Sequence, residues 1–308
     1  MIKLIKGILI CFSVFLCSIS GFSQKKSDAI EVLIVDGFNN HNWQQTTFLV
    51  SKILTESGLF HVSVSTAPSE PSVSEWADWN PDFSNYDVVI QNTNNYHNRS
   101  LRWPRSVEKN LEDFVKSGGG LYILHSANNA FPDWAAYNEM MGPGWRSVDE
   151  GIAIQIGDHG ELIEIPSGEG ETTFHGRRSD EVIHVLNNHP INKGFPKAWK
   201  TADLELYKYV RGSIKNLTVL SYATDKESQI NWPVEWVVKY GKGRVYNSSM
   251  GHIWKREVYP NGFRCIGFQT TLIRTTEWLA TGKVTTKVPD NFPTATTISL
   301  ADEELNQE

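Results

Sequence analysis

The sequence predicts an α/β protein with a doubly wound, mainly parallel sheet, carrying an inserted β-hairpin and an irregular loop region. Three observations support this. Apolar runs bounded by turn residues lack strict alternation, which suits strands buried on both faces of a parallel sheet. These runs alternate with stretches of helical spacing, the pattern of right-handed crossovers. The rhythm breaks only in the middle of the chain, over residues 142–215, which read as an elaboration on the core.

Glu31 to Asp36 is the first strand, and the helical spacing of Gln44 to Ser57 ends at Gly58, a C-cap glycine. His61 to Ser65 alternates as a second strand, and Tyr86 to Ile90 forms a third. A helix over Arg105 to Lys116 stops at Gly118-Gly-Gly120, and Leu121 to Leu124 is the fourth strand. Phe131 to Met141 reads as helix. Gly151–Ile156 and Glu161–Ile165 flank Gly157-Asp-His-Gly160, a hairpin signal. Leu217–Tyr222 and Arg244–Ser248 are further strands, and a last helix runs from Gly262 to Leu279. Residues 283–308 are polar and read as a mostly solvated tail after a single domain over 25–282.

Residues 1–24 read as a secretory leader. Lys3 and Lys6 open it, and Gly7 to Cys17 is apolar but too short to span a bilayer. Cleavage is expected near Ser23 or Gln24, giving a periplasmic or secreted protein. Anchoring through a lipidated Cys17 is the lesser alternative, since Leu16 stands where a small residue is wanted. No later run is long enough for a membrane span. Cys265 is the one cysteine after the leader, which excludes an intrachain disulfide and points to a buried apolar role.

The chain carries 29 Lys and Arg against 35 Asp and Glu. That balance disfavours nucleic acid, whose binding needs clustered cations, and suits a neutral ligand. Self-association is left open. Eleven tryptophans argue for a packed core.

In open α/β sheets, ligands bind at the carboxyl ends of the strands. Four such ends bring Asp36, Asn39, His41 and Trp43; Asn92; His125 and Asn128; and His252 and Trp254. Amides offer donors and acceptors and aromatic faces stack on C–H surfaces, a set suited to a polyhydroxylated ligand. Asparagine clusters also serve simply as turns and caps, the competing reading for each loop alone.

Several motifs together resemble the ThuA-like (trehalose utilisation) family. They are Gly118-Gly-Gly-Leu-Tyr-Ile-Leu-His-Ser-Ala127, Asn188-His-Pro-Ile-Asn-Lys-Gly194, Pro233-Val-Glu-Trp236, Tyr240-Gly-Lys-Gly-Arg-Val-Tyr246, Met250-Gly-His252 and Thr276-Glu-Trp-Leu-Ala-Thr-Gly282. The resemblance implies a class I glutamine amidotransferase-like fold of flavodoxin-like layout. It also implies a role in the use of disaccharides and their 3-keto derivatives. The turn that carries the nucleophilic cysteine in such amidotransferases holds His125 here, which cannot form a thioester, so glutaminase activity is not expected. Asp203-Leu-Glu-Leu-Tyr207 loosely resembles the family's Asp-Glu-x-Tyr segment, with one extra residue between the acids, so Asp203 stands in for Glu205 if the register is shifted.

The expected enzyme acts on a sugar or 3-keto-glycoside by acid/base chemistry: elimination, isomerisation or hydrolysis. His125 or Glu205 is the expected base and His252 the acid, with His189 and Glu235 beside the ligand. His175 with Arg177 and Arg178, in the insert, offers a site for an anionic sugar or a carboxylate, although a solvated loop is the commoner reading of such a segment. The rival is a non-catalytic carbohydrate-binding protein. No cofactor is expected; a divalent metal, if one binds, would use His125, His189 and His252.

Overall fold

The computed structural model describes residues 29–70 and 74–302; the leader and Cys17 lie outside the described residues. The elements, in chain order, begin with β1 (Ile30–Asp36), α1 (Trp43–Glu56), β2 (Phe60–Thr66), β3 (Val88–Gln91), α2 (Arg105–Ser117), β4 (Gly120–Leu124) and α3 (Ala135–Met141). The insert adds β5 (Pro143–Gly144), β6 (Ile152–Ile156), β7 (Leu162–Ile165), β8 (Phe174–His175), β9 (Ser179–Val185), β10 (Ala198–Leu204), β11 (Tyr207–Lys208) and β12 (Arg211–Gly212). The chain then returns through β13 (Leu217–Thr224), β14 (Asn231–Tyr240), β15 (Gly243–Ser248), α4 (Asn261–Arg264) and α5 (Ile266–Thr281).

The main sheet runs β10-β9-β13-β14-β15-β4-β3-β1-β2. Its β2-β1-β3-β4-β15 half is parallel throughout, and the strand order reverses between β1 and β3. Everything beyond β15 on this path is antiparallel. The sheet is therefore a flavodoxin-like parallel core extended by an antiparallel wing, and the insert is hydrogen-bonded into that wing. The predicted hairpin is present as β6–β7, with Ala153 opposite Ile165.

Alternation along the parallel strands divides the core into two layers. Val32, Ile34, Ile90, Tyr122 and Tyr246 face α1 and α5. Leu33, Val35, Val89, Ile123 and Val245 face α2 and α3. Burial on both faces explains why these strands read as continuous apolar runs. The Asn42 side chain caps α1 by accepting from Gln45 N, and Gly58, at φ 73°, closes the turn after it.

Two helical expectations change. Residues 125–129 form a 3-10 turn and helix resumes only at Ala135, so the predicted Phe131 start is too early. The last helix is broken at Cys265, whose extended backbone pairs with Leu300. The polar tail is largely exposed, yet tethered. Phe292 packs on Phe195 and Trp199, and Glu277 accepts bonds from the backbone and hydroxyls of Thr285 and Thr286.

Candidate active site

The carboxyl ends of β1, β4 and β15 meet at one edge of the sheet. The β1 and β15 loops are joined directly: Asn42 N donates to Ile253 O and the Asn42 amide to Glu257 O. His41 is thereby held against the residues after β15. His125 begins the turn after β4 with φ 43°, a left-handed backbone unusual for a residue with a Cβ and a sign of local strain. Gly251, at φ 100°, allows the facing loop to come close; a Cβ there would lie 3.2 Å from Leu124 Cδ1 and 3.6 Å from His125 Cβ.

The insert supplies the carboxylate. The β9–β10 register shifts between Thr201 and Leu204, and Asp203 adopts φ 53°. This bulge accommodates the residue that separates the two acids and turns Glu205 into the cluster. Asp203 is left outside, paired with Arg178 at 3.1 Å.

The result is a ring of histidines around one carboxylate. Glu205 Oε2 lies 3.4 Å from His125 Nε2, and its Oε1 lies 3.2 Å from His175 Nε2 and 3.7 Å from His252 Nε2. The rings of His41, His125 and His252 stand edge-to-face, with centroids 4.8–5.2 Å apart. Ligand atoms of His41, His125, Glu205 and His252 all lie within 4.8 Å of one another, a grouping able to hold a metal ion. His125 Nδ1 donates to Ser249 O at 2.8 Å, which leaves its Nε2 facing Glu205 and the Tyr207 hydroxyl, 3.2 Å away.

Electrostatics sharpen this picture. Burial alone would raise Glu205, but the 3.4 Å contact with His125 and the fields of His125, His252 and His175 outweigh it and hold the carboxyl down at about 2. Burial, then the neighbouring His125, lowers His252 to about 3; burial with His125 and His252 takes His41 to about 2. At neutral pH the cluster thus pairs an ionised carboxylate with uncharged His41 and His252. Arg178 braces the outer side, reaching His252 Nδ1 at 2.7 Å and Glu257 at 2.6 Å.

The cluster is closed inside and open at its rim. The His125 side chain is 2% exposed and Glu205 8%, whereas His175 is 38% exposed. Two tryptophans frame it: Trp145, against His175 and Tyr207, and Trp254, 44% exposed beside His41. A cavity of about 260 Å³ lined by Asn39, Asn40, Trp43 and Asn95 adjoins the His41 loop. One of 330 Å³, lined by Arg177, Arg178 and Lys208, adjoins the insert.

Of the sequence-predicted residues, His125, His252, Glu205, His41 and Trp254 converge. His189 does not; it packs on Trp278, and His41 and Glu205 occupy the place it was given in the metal set. Glu235 is also away from the cleft. It is buried within the sheet, bonded by Ser221 and Tyr246, because its strand is covered on both faces. Asp36 accepts from Thr47 and Thr66 and locks α1 to the first two strands. The asparagines act mainly on each other. Asn94 donates to Asn39, Asn40 and Ser126 O, and Asn92 donates to Trp43 O and Thr47. Asn128 is fully buried, with both side-chain polar atoms unpartnered. His175, Arg178, Tyr207, Trp145 and Glu257 are the cluster partners that sequence reasoning had not joined to it. The Arg-rich segment beside His175 and the Asp203–Tyr207 motif were their visible signals.

The ThuA family model, described as trehalose utilisation, matches residues 31–278. A ThuA-like protein from Parabacteroides merdae is 35% identical, with TM-score 0.81 over 88% of this chain and 97% of its own. More distant likenesses include a cytoplasmic protein from Salmonella typhimurium, 12% identical with TM-score 0.45, over 82% of this chain and all of its own. A glutamine amidotransferase from Thermotoga maritima is 9% identical with TM-score 0.38, over 71% of this chain and 74% of its own. No curated protein matches the sequence. The chain belongs to the ThuA (trehalose utilisation) family.

Proposed function

We propose that this chain is an exported enzyme of carbohydrate utilisation that acts on a sugar or 3-keto-glycoside by proton transfer. The observation that carries the reading is a buried, ionised Glu205 ringed by histidines, with His175 open to solvent beneath Trp145. A buried charge is costly unless it is paired, and groups perturbed in this way cluster at functional sites.

A keto group acidifies the neighbouring C–H, so a positioned base can remove that proton and permit elimination or isomerisation. The substrate-facing role suits His175 better than the His125 or His252 expected from sequence, because those two are buried. His175 Nδ1 bonds to Gly176 O at 2.7 Å and its Nε2 to Glu205 at 3.2 Å, so both ring nitrogens face acceptors. Those two contacts orient the ring at the rim, and the nitrogen that leaves its acceptor when substrate binds is the one that exchanges a proton with it. Trp145 and Trp254 offer the flat faces that sugars stack on.

Incubating the protein with glucosides and their 3-keto derivatives, with products identified by mass spectrometry, tests this. Turnover lost in His175→Ala and Glu205→Gln supports it. Ligand binding without turnover, unchanged in both variants, favours the carbohydrate-binding alternative.

A further inference from the structure

We infer that His41, His125, Glu205 and His252 form a site for one divalent first-row transition ion of the zinc type. The separations are the first argument. Glu205 to His125 Nε2 at 3.4 Å and to His252 Nε2 at 3.7 Å exceed good hydrogen-bond distances of about 2.7–3.2 Å. The Glu205 Oε2 to His125 separation matches the roughly 3.4 Å edge expected between ligands held about 2.1 Å from a tetrahedral centre. The longer one is made by the other oxygen, Oε1, and the four ligand atoms lie within 4.8 Å of one another, so the set contracts on loading. His175 stays outside the converging set: its Nε2 lies 3.2 Å from Glu205 Oε1, but the ring sits at the rim, 38% exposed.

The orientation of the rings is the second argument. His41, His125 and His252 stand at 81–85° to one another, so three imidazole edges converge from different directions. The outer atoms of two rings are already fixed. His125 Nδ1 donates to Ser249 O, and His41 Nδ1 lies 2.9 Å from Asn40 Oδ1. Such outer contacts hold the tautomer that presents Nε2 to a metal. Three nitrogens and one carboxylate oxygen suit zinc and its neighbours better than calcium or magnesium, which take oxygen ligands.

His252 must change tautomer on loading. Arginine only donates, so the Arg178 contact makes His252 Nδ1 an acceptor and leaves the ring proton on Nε2. Coordination through Nε2 moves that proton to Nδ1, which requires Arg178 Nη1 to withdraw from its 2.7 Å contact and Glu257 Oε2, 3.7 Å away, to close to bonding distance. Arg178 Nη2 keeps its bond to Glu257 Oε1. With four protein ligands, an ion bound here would polarise a substrate carbonyl only by expanding to five-coordination, and would leave proton transfer to His175. Only that polarising role rests on the sugar reading; binding of the ion does not.

The test uses the full protein, stripped by chelator and dialysed, then titrated with Zn²⁺ by calorimetry and with Co²⁺ by visible absorption. The expected result is saturation at one ion per chain with a tetrahedral cobalt band. His41→Ala and Glu205→Gln, checked for fold by circular dichroism, should weaken binding by more than the roughly 10–100-fold seen for outer contacts. His189→Ala should bind as the parent does. Absence of saturable binding would overturn the inference, whatever the sugar assays show. So would binding unchanged in folded His41→Ala and Glu205→Gln, or lost equally in His189→Ala.

Discussion

Glu205 Oε2 and His125 Nε2 lie 3.4 Å apart, although one comes from the inserted wing and the other from the turn after a core strand. The cluster is assembled only when the wing docks against the parallel sheet. Glu205→Gln preserves shape but removes the charge that the three surrounding histidines meet. Turnover should fall by roughly 10²–10⁴-fold with little change in circular dichroism, the range that a positioned acid/base group supplies. Steady-state kinetics on an active substrate would check it.

Trp254 touches the cluster from an exposed position, so its role is separable from folding. Trp254→Ala should shift unfolding stability by no more than about 0.5 kcal/mol. Sugar affinity should drop about fivefold, the loss of one aromatic contact worth about 1 kcal/mol. Paired thermal melts and ligand titrations would show the split.

Glu235 gives a pH prediction with a definite sign. Burial raises its carboxyl above the ordinary value, against the lowering effect of bonds from Ser221 and Tyr246. As pH rises above the unfolded value of about 4.5, the unfolded chain releases a proton that the folded one keeps. Stability from this group therefore falls with rising pH until the folded carboxyl itself ionises. Glu235→Gln should flatten that slope in denaturant unfolding measured across pH, without affecting turnover. Glu235→Ala should cost about 2–4 kcal/mol by leaving a void and two unpartnered hydroxyls.

His189 has the opposite sign. Burial lowers it to about 4, so below the unfolded value of about 6.5 the unfolded chain takes up the proton first. Its contribution is present above that value and is lost as pH falls towards 4. His189→Gln should lessen acid sensitivity over this window in melts followed by circular dichroism.

The parallel core was legible because burial on both faces writes continuous apolar runs; Glu31–Asp36, Leu121–Leu124 and Arg244–Ser248 all lie in strands. The strand-end rule likewise pointed to His41, His125 and His252. The wing was much less so. His175 and Tyr207 sit on strands of two residues, too short for any periodicity, and Glu205 is turned inward by a bulge at Asp203. His189 and Glu235 misled because a His-Pro turn and an acid on a strand look alike whether they face a cleft or a core. Only the long-range contacts with Trp278, Ser221 and Tyr246 separate the cases.

Mass-spectrometric product analysis with matched glucosides and 3-keto-glucosides, beside the Glu205→Gln variant, tests the central claim most directly. The account predicts turnover of the keto compounds that disappears when the Glu205 charge is removed. Turnover undiminished in a folded Glu205→Gln protein, or tight binding of the sugars with no product from any of them, would contradict it.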